Sequence, residues 1–214
     1  MQGFLRLLLW VGLILGLIAL IGWAFLFESH EVPDNSMAPN LIKGDRVLVY
    51  ILASFDTGST AVCKHPSDSS KVVFGRIVGT PGDRVKIDRS SLYINNNQTE
   101  TTVEEDYVLV DEQASGPPQT VKMQRMIETT GMIRYSILMP AASSRASRRR
   151  AMREKRVDDG RYFLMADNRA YGEDSRVYGQ VEISSCIGSP LLVYQPGEGA
   201  GDAASSDRWF SIVR

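Results

Sequence analysis

Histidine and cysteine are scarce in this chain, two of each among 214 residues. The four lie at unrelated spacings, so no metal-ligand set can be read from them, and no cofactor is expected. A surplus of positive charge is also missing. With 24 Lys and Arg against 25 Asp and Glu, the formal net charge is −1, which argues against a nucleic-acid partner. Helical periodicity is thin outside the N-terminus, and turn residues recur at short intervals.

One absence is local. From Leu7 to Phe27 the chain reads LLLWVGLILGLIALIGWAFLF without a charge, about the length that a helix needs to cross the hydrocarbon core of a bilayer. A cleaved secretory signal would have an apolar region of only about 7–15 residues ending in a small-x-small site. Here the run ends in Trp23, Ala24, Phe25, Leu26 and Phe27, which are too bulky. An uncleaved anchor over 7–27 is therefore expected. Arg6 precedes it while Glu28 and Glu31 follow, so the positive-inside rule predicts a cytoplasmic N-terminus (1–6) and an exported domain (28–214). In an exported domain Cys63 and Cys186 would be either bridged or two buried thiols, and their spacing does not decide between these.

The exported part is written in short β-type runs separated by Gly, Pro and Asn: Val47–Leu52, Val72–Val78, Val85–Ile87, Ser91–Ile94, Tyr107–Val110, Arg161–Met165 and Pro190–Tyr194. This predicts a mainly β domain, an antiparallel β-sheet or a partly closed β-barrel. LYINNN reads as a strand entering a hairpin turn. Residues 111–160, broken by GPP at 116–118, read as an inserted excursion. The basic run RASRRRAMREKR (145–156) is either solvated surface or a contact with anionic lipid headgroups. PGEGAGDAASSD (196–207) has the composition of a flexible linker, and the closing RWFSIVR would add a last strand.

Four segments then follow the apolar span in a fixed order: NSMAPNL (35–41), KGDRVLV (43–49), GRIVGTPGDRV (75–85) and FLMADNRAYGEDSRVYG (163–179). In that order, behind that anchor, they resemble the type I signal peptidases of bacteria. These are membrane-bound serine endopeptidases that remove signal peptides from exported preproteins after small-x-small sites. The resemblance covers most of the chain outside roughly 111–155. It implies that Ser36 stands at the nucleophile position, that Asp34, Asp167, Arg169, Gly172, Asp174 and Arg176 support the site, with Asp83 also in a charged pair, and that the domain lies on the outer side of the plasma membrane. It also implies exported preproteins or signal peptides and the lipid bilayer as partners. Ser36 lies nine residues past the span on a segment held between Pro33 and Pro39, and Met37 beside it is expected to face the bilayer.

The same resemblance makes three departures visible at one place. A serine needs a group that takes its proton, and the family's lysine base stands directly before the Arg of the third segment. That position is Gly75. The serine that hydrogen-bonds this lysine corresponds to Gly172, and the hydroxyl that donates to the oxyanion corresponds to Asp34, whose charge would repel a developing anion. The glycine that opens the fourth segment is Ala166. These changes predict lost or strongly reduced hydrolysis and a non-catalytic relative that binds exported segments, with strand Val72–Val78 as the edge of the groove, or that assists an active signal peptidase. An active enzyme would need Lys64, His65, Lys71 or Asp34 as its base. Lys71 is about 13 Å along a strand from Gly75, too far without rearrangement. A structural β protein without a groove is the third reading.

Overall fold

Beyond Arg6 the N-terminal run has neither proline nor charge to interrupt it, and it forms one helix, α1 (Gln2–Leu26). The computed structural model describes residues 2–88, 91–111, 119–140, 151–170, 172–197 and 208–213, with the side chains of these except 2, 5, 19–21, 23, 109–111, 119 and 120. Large apolar side chains of α1 are exposed, Phe4, Leu7, Trp10, Ile14 and Phe25 between 52% and 74%. Among the described residues no helix is long and apolar enough to cross a membrane, so the anchor over 7–27 stands as an expectation.

Among the described residues after α1, the strands pair antiparallel in three sheets. The largest sheet runs β1 (Phe27–Glu31), β2 (Arg46–Tyr50), β14 (Cys186–Gln195), β3 (Thr60–His65), β4 (Asp68–Gly79), β12 (Arg161–Met165) and β13 (Val181–Glu182), with β15 (Ser211–Ile212) also paired to β14. A second sheet orders β10 (Ile133–Pro140), β9 (Gln119–Thr130) and β8 (Glu100–Asp111), and a third orders β11 (Met152–Arg156), β5 (Arg84–Asp88), β6 (Ser91–Ile94) and β7 (Asn97–Gln98). The mainly β, antiparallel class is as the sequence predicts. Among the described residues no sheet closes into a barrel.

Every run expected to be a strand lies in one except Val47–Leu52, whose strand ends at Tyr50 and whose Ile51 and Leu52 are in a turn. The turn expected in LYINNN is present: Ile94 pairs with Asn97, and Asn95 and Asn96 take left-handed φ of 52° and 68°, as a two-residue type I′ turn requires. RWFSIVR supplies β15, which pairs Leu192 with Ile212. Other expectations are corrected. The excursion is not confined to 111–160, because its sheet begins with β8 at Glu100, and β8 and β9 pair along their whole length. Of the basic run, Met152–Arg156 is strand β11 against β5, while 145–150, GPP at 116–118 and 198–207 of the linker lie outside the described residues. Met37 does not face outward. It is 1% exposed and packs with Val32, Leu41, Val47, Val49, Val62, Phe74 and Val193, because a flexible thioether fills an irregular core gap at less cost than it would sit in water.

Two features of the large sheet position the site. Cys63 and Cys186 face each other across β3 and β14 and are joined in a disulfide. Strand β4 pairs with β3 over most of its length, but with β12 only from Arg76 to Gly79. Among the described residues its stretch before Arg76 therefore keeps one unpaired edge, whereas the stretch from Arg76 to Gly79 lies between β3 and β12.

Candidate active site

Ser36 lies on an irregular segment between β1 and β2. The segment folds on itself through Ala38 N–H to Asn35 O (3.2 Å) and Leu41 N–H to Met37 O (3.0 Å). The β12 end clamps it from the other side. Asn168 donates its backbone N–H to Ser36 O at 2.9 Å and its side-chain amide to Asn35 O at 3.2 Å. Ser36 is 8% exposed. Its own N–H donates to Asp34 Oδ1 at 2.7 Å, and among the described residues nothing hydrogen-bonds its hydroxyl.

The two departed positions are both full. A Cβ placed on Gly75 would lie 2.8 Å from Leu164 Cβ and 3.3 Å from its Cδ1, both closer than ordinary carbon contacts. Leu164 is fully buried on the face formed by Ala61, Cys63, Ile77, Tyr162 and Val181. A Cβ on Gly172 would fall 2.2 Å from Ala166 Cβ, 2.9 Å from Asn168 O and 3.1 Å from Ser36 O. Gly172 thus lies against the Ser36 backbone, and Ala166 occupies the volume that a side chain at 172 would need.

The charged residues of the fourth segment form the scaffold of this loop. Arg76, fully buried, donates Nε and Nη2 to the two oxygens of Asp167 at 2.7 and 2.6 Å and Nη1 to Gly58 O at 2.7 Å. Asp167 also accepts from Asn40 Nδ2 at 2.7 Å. Arg176 forks onto Asp174 at 2.7 and 2.6 Å, and Asp174 in turn accepts the Ala166 N–H. Among the described residues Asp83 pairs with no arginine. It accepts from the Thr80 N–H and hydroxyl and from Asn95, which hold its carboxyl below the usual range although burial works against them.

Arg169 has a partner that sequence reading missed. It pairs with Glu128 of β9, both nearly fully buried. Glu128 also accepts from Tyr135 at 2.7 Å and Thr99 at 3.1 Å. Burial pushes the Glu128 carboxyl up, but the Arg169 charge and these hydrogen bonds outweigh it and hold its pKa below the ordinary value. Tyr135 is pushed above the ordinary phenol range by burial and by Glu128, and its ring carries the Arg76 guanidinium 3.8 Å above its centroid. No local pattern points from Glu128 to Arg169, 41 residues away. Asn40, Leu164 and Tyr178 were missed for the same reason.

The alternative bases do not gather at Ser36. Lys71 pairs with Asp68 at 3.4 Å and is largely exposed. His65 accepts the Ser67 N–H and packs edge-on against Tyr178. Lys64 and His65 line a surface cavity of about 280 Å³ together with Arg161, Gln180 and Glu182. Of the four, Asp34 alone touches Ser36.

The model of the family described as signal peptidase, peptidase S26, matches residues 5–195, which include all four segments and every one of these contacts. This chain belongs to that family. Among its relatives, a signal peptidase I of Bacillus licheniformis is 27% identical over 84% of this chain and 82% of its own length. A signal peptidase I of Streptococcus pneumoniae is 26% identical over 86% of this chain and 89% of its own. The chain is also similar to a crystal structure of a signal peptidase I from Enterococcus faecalis, at 22% identity, a TM-score of 0.36, and coverage of 64% of this chain and 97% of that one. In this member of the signal peptidase family, then, Asn168 holds the Ser36 backbone, and Leu164 and Ala166 fill the space beside Gly75 and Gly172.

Proposed function

We propose that this chain is a membrane-anchored signal peptidase I-like protein that binds exported segments at the Ser36 cleft and hydrolyses them slowly or not at all. The observation that carries the reading is the contact at Gly75. Where a lysine base would leave the strand, Leu164 Cβ stands 2.8 Å from the Cβ position, so the space for a base is occupied as well as its side chain missing. Asp34 adds to this by taking the Ser36 N–H, a donor of the kind that would otherwise meet the oxyanion of a tetrahedral intermediate. The unpaired edge of β4 before Arg76 suits an extended peptide that adds to the sheet.

In this reading residues 7–27 anchor the chain once in the plasma membrane, with residues 1–6 cytoplasmic and 28–214 outside. Ser36 takes the nucleophile position, Gly75 the vacant base position, and preproteins or signal peptides are the ligands, presented alone or to an active signal peptidase. The test is purified full-length protein in detergent with a preprotein bearing a small-x-small site. We expect binding with turnover at least about 10⁴-fold below that of an enzyme with its base in place. A second variant rebuilds both chemistry and space: Gly75→Lys with Leu164→Ala, Gly172→Ser with Ala166→Gly, and Asp34→Ser. Hydrolysis that appears only in this variant supports the reading, and equal turnover by the parent refutes it. The active alternative would need Asp34, whose carboxylate holds the Ser36 backbone N–H and not its hydroxyl, to turn onto that hydroxyl. In that case the parent cleaves and Asp34→Asn does not.

A further inference from the structure

We propose that the surface cavity at the tip of the β3–β4 hairpin binds a phosphate group, either the free anion or the phosphate of a small headgroup ester. Its described lining residues lie outside the contacts that hold Ser36, so the site stands whether or not the serine loop holds a peptide.

The cavity of about 280 Å³ is assembled from the ends of several strands. Lys64 and His65 close β3, Ser69 lies at the start of β4, Arg161 opens β12 and Glu182 ends β13. Ser185, the last residue of the short 3₁₀ turn Ile183–Ser185, completes this wall. Sheet pairing and a covalent bond bring these ends together. Arg161 stands opposite Glu182 in the β12–β13 register. Cys63, directly before Lys64, is bonded to Cys186, directly after Ser185. The walls are also tied to the backbone behind them. Gln180 donates to Arg156 O at 3.0 Å and accepts the Asp158 N–H at 2.8 Å. The Ser185 hydroxyl donates to Glu182 O at 2.7 Å, and the Ile183 N–H to Gly160 O at 3.0 Å. A cavity so fixed needs little further ordering when a ligand enters, which favours binding.

The remaining polar groups are mostly donors. His65 Nδ1 accepts the Ser67 N–H at 3.1 Å, so the neutral ring carries its proton on Nε2 and can give it to a ligand. Packing edge-on against Tyr178 fixes the plane of that ring. Arg161 Nη2 is 3.9 Å from Glu182, beyond hydrogen-bond reach, so its guanidinium donors are not consumed by that pair. Lys64 adds an ammonium and Ser69 a hydroxyl. Glu182 is the one carboxylate among the described lining residues, and it is 65% exposed, so water screens it. Two fixed positive charges against one screened carboxylate select an anion, and in a chain of net charge −1 this is a local property. The donors come from β3, β4 and β12, which suits the several oxygens of a phosphate better than the two coplanar oxygens of a carboxylate. An arginine fork with a lysine point charge is a pairing suited to phosphate.

The test uses full-length protein in uncharged detergent micelles, titrated with inorganic phosphate or glycerophosphate at an ionic strength held constant with chloride. Binding is read by calorimetry and by the rise in melting temperature that a ligand of the folded state produces. Saturable binding is expected. Lys64→Met and Arg161→Met should each weaken it about tenfold, the worth of one charge-assisted hydrogen bond. Glu182→Gln removes the opposing charge and should tighten it roughly two- to fivefold. These side chains lie at the surface, so the fold should survive their replacement. Lys122→Met, at an exposed position of β9 outside the cavity, should leave binding unchanged. Tighter binding of glycerophosphate would identify an ester as the occupant, and tighter binding of inorganic phosphate the free anion. The inference is overturned if neither probe binds saturably, if Lys122→Met weakens binding as much as Lys64→Met, or if Glu182→Gln fails to tighten it.

Discussion

At the residue scale, the two site glycines are coupled to their neighbours in different ways. If the resemblance assigns these positions correctly, Gly172 and Ala166 are an exchange, with the methyl group at 166 and none at 172. Their Cβ positions lie 2.2 Å apart, so both cannot be filled. Gly172→Ser alone should therefore lower the melting temperature by the equivalent of about 1–3 kcal/mol, the usual range for overpacking. Ala166→Gly should restore most of that loss, which a double-mutant cycle by thermal denaturation would read as a coupling of opposite sign. Simple additivity would mean that the backbone yields and that the exchange is not steric. At Gly75 the neighbour is a fully buried leucine instead, so Gly75→Ala is also expected to destabilise, and Leu164→Ala alone to cost about 2–5 kcal/mol. The glycine at 75, on which the proposal of a vacant base rests, is read directly from the sequence. The sequence did not show that Leu164 had taken the space, since that contact joins residues 89 positions apart through sheet pairing.

At the scale of elements, strand identity was legible wherever β-branched residues alternate between Gly, Pro and Asn signals, as in Val72–Val78 and Ser91–Ile94. It was obscured where polar residues fill a strand. Met152–Arg156 reads as a basic run, yet it pairs with β5, since an edge strand needs only backbone partners and one packed side chain. The sheet of β8, β9 and β10 was read as an excursion, but it sends Glu128 into the loop that holds Ser36. Glu128→Gln leaves the Arg169 guanidinium buried without a counter-charge, a loss of about 3–5 kcal/mol for a pair broken on one side. The pH dependence follows from the sign of the shift. The folded carboxyl titrates below its ordinary 4.5, so the unfolded chain binds a proton first as pH falls. The contribution of Glu128 is then full above about pH 4.5 and is lost progressively below it. Urea unfolding between pH 7 and pH 3 should show a shallower acid loss in Glu128→Gln than in the parent, and an identical slope would show that other carboxyls dominate.

For the whole molecule, the decisive question is which side of the membrane the β domain occupies, and the disulfide gives a readout that does not depend on catalysis. Cys63 and Cys186 sit opposite each other on β3 and β14, 123 residues apart in sequence, and they tie the half of the sheet that follows β1 and β2 to the half that carries β4 and β12. Closing so long a loop should contribute about 2–5 kcal/mol, so reduction is expected to lower the melting temperature by several degrees. An exporting compartment allows this bond and a reducing cytosol does not. With α1 in place, the protein taken from its host's membranes should resist alkylation without reductant, and protease added to intact cells stripped of their wall should remove the domain. With residues 1–26 deleted and the domain retained in the cytosol, both cysteines should alkylate and the melting temperature should fall to that of the reduced full-length protein. Alkylation of both cysteines in the membrane-bound form would place the domain inside, and with it would go the anchor orientation read from Arg6, Glu28 and Glu31.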